Sequence, residues 1–111
     1  MKSIFEVLQE TGLPAAYSHF TTDQEPQEPP FIVYLGAGQD QFRADNEIYL
    51  TKNIYQVEYY YTKKDEEAEA EIEKALTDNL FFYEKSADTW IDDQNMFVIY
   101  YDVARKGFYH E

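Results

Sequence analysis

The segment that most constrains the fold is residues 54–62, Ile-Tyr-Gln-Val-Glu-Tyr-Tyr-Tyr-Thr. It has no Gly or Pro and is rich in β-branched and aromatic residues, which is typical of a β-strand. In an extended chain one side carries only apolar and aromatic residues, namely Tyr55, Val57, Tyr59 and Tyr61. The other side mixes apolar and polar residues, namely Ile54, Gln56, Glu58, Tyr60 and Thr62. This pattern predicts a sheet with a helix on one face and with water or another subunit on the other.

The length of 111 residues predicts a single domain over residues 1–111, large enough to form one hydrophobic core. Cysteine is absent, which excludes a disulfide framework and a thiolate metal site and fits a reducing cytosol. No apolar run approaches the roughly 20 residues of a membrane span, and no signal-peptide core follows Met1. We therefore expect a soluble, intracellular protein without a membrane partner.

The net charge of −13 argues against direct binding to nucleic acid, because that affinity comes from Lys and Arg neutralising phosphates. Disorder is not expected despite the charge. Eleven Tyr, eight Phe and one Trp give far more aromatic surface than disordered chains carry.

Two segments have helical signals. Ser3 and Glu6 have the spacing of a capping box, and a short helix should follow and stop at Gly12. The clearer helix spans residues 65–79, with Asp65 as its N-cap and Asn79 ending it in a left-handed conformation. Its predicted buried stripe is Ala68, Ile72, Ala75, Leu76 and Asn79, and its predicted solvated positions are Glu69, Glu71, Glu73 and Thr77.

The first half of the chain predicts a hairpin. Residues 15–20 could be briefly extended, and residues 21–30 form an acidic, proline-rich loop. Residues 31–35 should be a strand buried on both faces, which ends where residues 36–38 lead into a loop at 39–46. Residues 47–50 should resume a strand, and a turn at 51–53, with Asn53 at positive φ, should join it to 54–62.

The second half predicts another hairpin, with arms at 88–92 and 96–104 and a turn at 93–95. Residues 80–83 lead into it. The last strand is apolar on both faces, so it should be central in the sheet. Residues 105–111 are predicted to be a flexible tail. The expected fold class is α+β, a mainly antiparallel curved sheet of about 4–5 strands with two helices packed against it.

No catalytic, cofactor-binding or metal site is recognisable. The chain has no Ser-His-Asp or Cys-His set and no phosphate-binding loop, so we expect a non-enzymatic protein without cofactors. His19 and His110 are interpreted as surface histidines, and Asp92 and Asp93 as turn residues. A small enzyme remains an alternative, but it would need a deep pocket around His19, Asp92 or Glu58. The glutamates of residues 66–73 are either a solvated helix face or a surface that imitates DNA.

The tyrosines admit two interpretations. They could cover an amphipathic sheet face with wet edges, or they could form a protein interface, where Tyr is enriched. The candidate interface residues are Tyr55, Tyr59 and Tyr61 of the strand, with Phe42 and Arg43 of the polar loop.

Three segments and one helix, in this order, resemble small proteins of siphophages and prophages of Gram-positive bacteria. The segments are Leu-Pro-Ala-Ala-Tyr at 13–17, Pro-Pro-Phe-Ile-Val-Tyr at 29–34 and Tyr-Gln-Val-Glu-Tyr-Tyr at 55–60, followed by the helix at 65–80. The layout is similar to the tail-terminator or tail-completion family of the head–tail joint. The resemblance covers residues 13 to 103 and carries over no individual binding residue.

The resemblance implies a curved, mostly antiparallel sheet with helices against it. It also implies a homo-oligomeric ring, usually a hexamer, that caps the tail tube and docks on the head connector. Such a protein would assemble in the host cytoplasm and end in the virion, and its acidic wall would keep passing DNA from sticking. The rival hypothesis is an acidic regulatory module, such as a DNA mimic, acting on a host protein.

Overall fold

The computed structural model describes residues 2–19, 28–43 and 48–110, and of residues 39–43, 48–52 and 106–110 it describes only the backbone. Within these ranges the fold is α+β, with two helices and a six-stranded mixed sheet. The elements are α1 (Ile4–Gln9), β1 (Ala15–Tyr17), β2 (Phe31–Arg43), β3 (Ile48–Tyr61), α2 (Glu66–Asp78), β4 (Phe82–Lys85), β5 (Thr89–Ile91) and β6 (Met96–His110). Residues 1, 20–27, 44–47 and 111 lie outside the described ranges, and with them most of the acidic loop predicted at residues 21–30.

The sheet is open and is ordered β1-β2-β3-β6-β4, with β5 also paired to β6. All pairings are antiparallel except that of β1 with β2, which is parallel. The α+β class, the mostly antiparallel sheet and the central position of the last strand are confirmed. The predicted number of strands is too low, because β4, at residues predicted only to lead into the second hairpin, also joins the sheet, as does the three-residue strand β1.

The first hairpin differs from its prediction. β2 continues past the glycines to Arg43, and a register shift between Gly36 and Gly38 marks a β-bulge there instead of a strand exit. β3 is continuous from Ile48 to Tyr61, so the turn predicted at residues 51–53 is wrong. Asn53 instead lies in the ladder, opposite Gln39 on β2 and Arg105 on β6. Long β2 and β3 therefore pair with each other along their full length.

The predicted flexible tail is also different, because β6 remains paired with β3 as far as His110. Arg105 anchors the start of this extension. Its guanidinium Nη1 donates to the backbone carbonyl of Lys2 at 2.8 Å and to that of Asn79 at 3.4 Å. The guanidinium carbon also lies 4.1 Å from the centre of the Phe81 ring, within the range of a cation–π contact.

Both helices begin with the N-terminal caps that the sequence predicts. Ser3 and Glu6 form the predicted capping box, and Asp65 accepts from the backbone N–H groups of Glu67 and Ala68. The C-terminus of α2 differs by one residue, because Leu80, with φ of +68°, takes the left-handed conformation predicted for Asn79. The N–H of Phe81 donates to the carbonyl of Leu76, and that of Leu80 donates to Thr77. This is a Schellman motif, whose left-handed residue follows the C-cap.

The predicted division of the sheet into two unlike faces is present. Both helices pack on one face, called here the helix face, whose central residues are Val57, Tyr59, Ile99, Tyr101 and Val103. The opposite face is called the open face, and it carries Ile54, Glu58, Tyr60, Val98, Tyr100 and Asp102. Val33 and Val98 are buried but do not belong to the helix-side core. The open face therefore has a small packed centre of its own.

The two glycines of the bulge give a matched test of the β2 backbone. Gly38 has φ of +114°, which L-residues rarely adopt, so Gly38→Ala should destabilise the fold by about 1–3 kcal/mol. Gly36 has no such φ, and an added Cβ would lie 3.7 Å from the Tyr17 hydroxyl, an ordinary contact. Gly36→Ala should be neutral or stabilise by about 0.5 kcal/mol. Urea unfolding followed by circular dichroism measures both changes, and equal losses in the two variants would contradict the bulge.

Candidate functional site

The open face contains a partly exposed aromatic surface. The rings of Phe31 and Tyr60, which are cross-strand partners, stack with their centres 5.0 Å apart. The Tyr60 hydroxyl donates to Glu58 Oε1 at 2.6 Å. Burial, followed by this hydrogen bond, raises the pKa of Tyr60 well above its usual value, so the phenol stays protonated. No helix of the described chain covers these residues.

A groove lies beside this surface, where β3, β6 and β4 meet. Its volume is about 410 Å³. The residues that register places on the open face around it are Ile54, Phe82, Glu84, Asp102 and Ala104. Phe82 is 68% exposed although it lies within a strand. The groove therefore has an apolar floor that the described chain leaves largely uncovered.

Two carboxylates border this floor. Glu84 on β4 is the direct cross-strand partner of Asp102 on β6. Like charges in this position repel and destabilise an antiparallel pair. Neither carboxylate has an ion pair or hydrogen bond in the part of the chain that the structure describes. No sequence pattern predicts this pair, because the two residues come from different strands.

The residues predicted as an interface lie elsewhere. Tyr59 and Tyr61 are only 1% and 2% exposed and stack on each other inside the helix-side core, so they have no surface to offer a partner. Tyr55 packs against the same core. Phe42 and Arg43 lie near the end of β2, paired with Leu50 and Tyr49, and not in a polar loop. The tyrosines that the structure leaves on the open face are Tyr60 and Tyr100.

A buried carboxylate, Glu69 of α2, overturns the prediction that this position is solvated. Its side chain is 3% exposed. The ammonium group of Lys64 lies 2.8 Å from Oε2, and that of Lys85 lies 2.8 Å from Oε1. A carboxylate without partners would be very costly in this position, and the two lysines neutralise it.

The pairing continues from Lys85 into a second carboxylate, Glu73. Lys85 Nζ lies 2.9 Å from Glu73 Oε2, and Glu73 also accepts from the hydroxyls of Tyr101 at 2.9 Å and Tyr83 at 3.2 Å. Burial acts to raise the pKa of Glu73, but the hydrogen bonds from Lys85 and Tyr101 outweigh it and hold the pKa below its usual value. Burial, and then Glu73, raise the pKa of Tyr101 strongly.

On the other side, Lys64 joins Glu69 to Asp88, with a distance of 3.0 Å between Lys64 Nζ and Asp88 Oδ2. Asp88 also accepts a hydrogen bond from the Tyr61 hydroxyl. This bond and that from Lys64 lower the pKa of Asp88, while burial and then Asp88 raise the pKa of Tyr61. The cluster thus fastens α2 to β3, β4 and β6.

The chemistry of this cluster is that of a structural network. The lowered pKa values of Glu73 and Asp88 keep these carboxyl groups ionised, and the raised pKa values of Tyr61 and Tyr101 keep these phenols protonated as donors. The pKa values of these four groups are displaced away from neutral pH, where a general acid or base works best. Among the described residues no group of His, Asp and Glu could hold a metal ion.

The remaining predicted positions have local roles. Asp92 accepts from Trp90 Nε1 at 2.6 Å and, with Asp93, lies in the turn between β5 and β6, as expected. His19 is exposed beside Ser18, with 3.1 Å between its Nδ1 and the Ser18 hydroxyl. His110 is at the end of β6, and its side chain lies outside the described atoms.

The fold and the site define an α+β protein whose described helices both pack on one face of the sheet. No protein-family model matches the sequence, and no curated protein matches it. Within the described ranges no helix has the length and apolar character needed to cross a membrane.

Removing the buried charge tests the network. Glu69→Gln should destabilise the fold by about 1–3 kcal/mol, because Lys64 and Lys85 lose their shared counter-charge. Glu71→Gln, on the exposed side of the same helix, should change stability by less than about 0.5 kcal/mol. Urea unfolding measures the free energy of unfolding of both variants. A decrease in Glu69→Gln no larger than that in Glu71→Gln would contradict the network.

The two lowered carboxylate pKa values predict acid sensitivity. Because Glu73 and Asp88 bind protons less readily when folded, protonation favours the unfolded chain. The free energy of unfolding should be level above about pH 5. It should fall as the pH drops through the ordinary values of 4.5 and 3.8 toward the lower folded-state values. Urea unfolding at a series of pH values should show a shallower fall in Glu73→Gln than in Glu71→Gln, and identical slopes would refute the prediction.

Proposed function

We propose that this protein is a non-enzymatic structural subunit that works by self-assembly and docking through the open face of its sheet. The observation that carries the proposal is that both helices pack on the other face. The open face keeps an aromatic surface and an apolar groove, with Phe82 68% exposed. Exposed apolar patches of this kind mark interaction surfaces.

The resemblance to tail-terminator and tail-completion proteins gives this role a setting. We propose that copies of the chain form a ring, usually a hexamer in that family, at the head–tail joint of a phage, where it contacts the tail tube and the connector. The net charge of −13 supports such a location, because an acidic ring does not bind the DNA that passes through it. Assembly would occur in the host cytoplasm, and the product would reside in the virion.

The rival DNA-mimic function needs a continuous acidic stripe, and the described contacts argue against one along α2. Glu69 is buried, and Glu73 is engaged by Lys85 and two phenols. The glutamate row is therefore interrupted at two of its positions. The remaining exposed acids fit a solvated helix face.

Light scattering coupled to size-exclusion chromatography tests self-assembly over a wide concentration range, with and without the tail-tube protein. The wild-type chain should associate, either alone or on the tube. Tyr60→Glu should weaken association by about tenfold or more, because it places a charge in the aromatic surface formed by Phe31 and Tyr60, outside the groove lined by Phe82.

The matched control is Leu80→Glu, since Leu80 is 64% exposed but lies at the end of α2, away from the open face. It should associate as the wild type does. A chain that stays monomeric at every concentration and never binds the tube would contradict the proposal, as would equal effects of the two variants.

A further inference from the structure

The groove on the open face has a specific chemical character. Its apolar floor is formed by Ile54, Phe82 and Ala104, and the carboxylates of Glu84 and Asp102 stand on the same face. We propose that this groove docks an extended basic segment of a partner protein, with an Arg or Lys side chain lying on the floor and its charged head between the two carboxylates.

Charge complementarity supports this occupant. Glu84 and Asp102 repel each other across the β4–β6 pair, and the described chain provides neither of them with a counter-charge. A cation placed between them would turn two repelling charges into a matched set. A guanidinium suits this position best, because its several N–H donors can contact both carboxylates.

The apolar floor explains why the partner should offer a long basic side chain and not a bare cation. Lys and Arg bury their methylene stems on apolar surfaces while their heads stay with polar groups. The groove volume of about 410 Å³ leaves room for such a stem together with a neighbouring apolar residue. A small hydrated ion would leave Phe82 as exposed as it is in the free chain.

A second copy of this chain is a poor source of the basic side chain, because most cations among its described side chains are already engaged. Lys64 and Lys85 pair with Glu69, and Arg105 donates to two backbone carbonyls. Lys2 and Lys74 pair with acids as well. Among the side chains that the structure describes, only Lys63 is a cation outside these pairs. The groove therefore favours a different, basic protein, and this inference does not depend on self-assembly.

Two-dimensional amide NMR of the full chain tests the groove with a defined probe, a short blocked peptide of alternating arginine and valine. Saturable shifts should centre on residues 82–84 and 102–105 and on Ile54. Replacing each arginine by citrulline, which has nearly the same shape but no charge, should abolish them.

The variant that tests the carboxylates is the double substitution Glu84→Gln with Asp102→Asn. It should weaken peptide binding by about tenfold, while thermal unfolding shows a protein at least as stable as the wild type, because the repulsion is gone. The matched control is Glu66→Gln with Glu67→Gln, which removes the same charge from the exposed start of α2 and should leave affinity within about twofold.

Equal weakening by the two double variants would overturn the inference, since it would show only a general attraction to an acidic protein. Shifts centred outside the groove, or binding of the citrulline peptide, would also overturn it. Failure of self-assembly is a separate result, because the carboxylate variant should self-associate at least as well as the wild type.

Discussion

The pairing of β3 with β6 is the interaction on which the rest of the structure depends. It runs from Ile48 opposite His110 to Tyr61 opposite Phe97, and every other strand except β1 pairs with one of the two. Its register places Tyr59 opposite Ile99 on the helix face and Tyr60 opposite Val98 on the open face. A slip of one residue would exchange these faces, so a single register determines both the core and the surface left for partners.

The helix face accounts for several of the tyrosines. Tyr61, Tyr83 and Tyr101 each pack a ring in or against the core and direct a hydroxyl to a carboxylate. A buried acid such as Glu69 would be costly in isolation, and the lysines and phenols around it make a connected polar network. Several of the tyrosines therefore stabilise the subunit itself. The tyrosines that remain available to a partner, Tyr60 and Tyr100, lie on the open face.

Local sequence signals predicted the elements whose causes are local. The capping box at Ser3, the N-cap at Asp65 and the alternation along residues 54–61 each depend on neighbouring residues, and all three are present. The glycines at 36 and 38 were ambiguous, because a strand exit and a β-bulge require the same backbone freedom. Glu69 was predicted to face solvent because it is charged. Its partner Lys85 follows sixteen positions later, in another strand, so local sequence does not indicate the pairing. The Glu84–Asp102 pair was likewise invisible until the register of β4 and β6 was known.

The carboxylates on the two faces of the sheet differ in whether they are paired with cations or phenols. On the helix face Glu69 is paired with two lysines and Glu73 with a lysine and two phenols, which holds α2 to the sheet. On the open face Glu84 and Asp102 have no such partner in the described part of the chain, and a cation from another protein would relieve their repulsion. In the described part of the chain both helices pack on the same face, so the sheet is covered on one side only.

Paramagnetic relaxation of isoleucine methyl groups by a neutral gadolinium chelate tests this claim directly, in a sample dilute enough to be monomeric. The methyl group of Ile54 on the open face should relax strongly, while those of Ile32, Ile72 and Ile99, which are fully buried, should hardly respond. Protection of Ile54 equal to that of Ile99 would contradict the one-sided sheet.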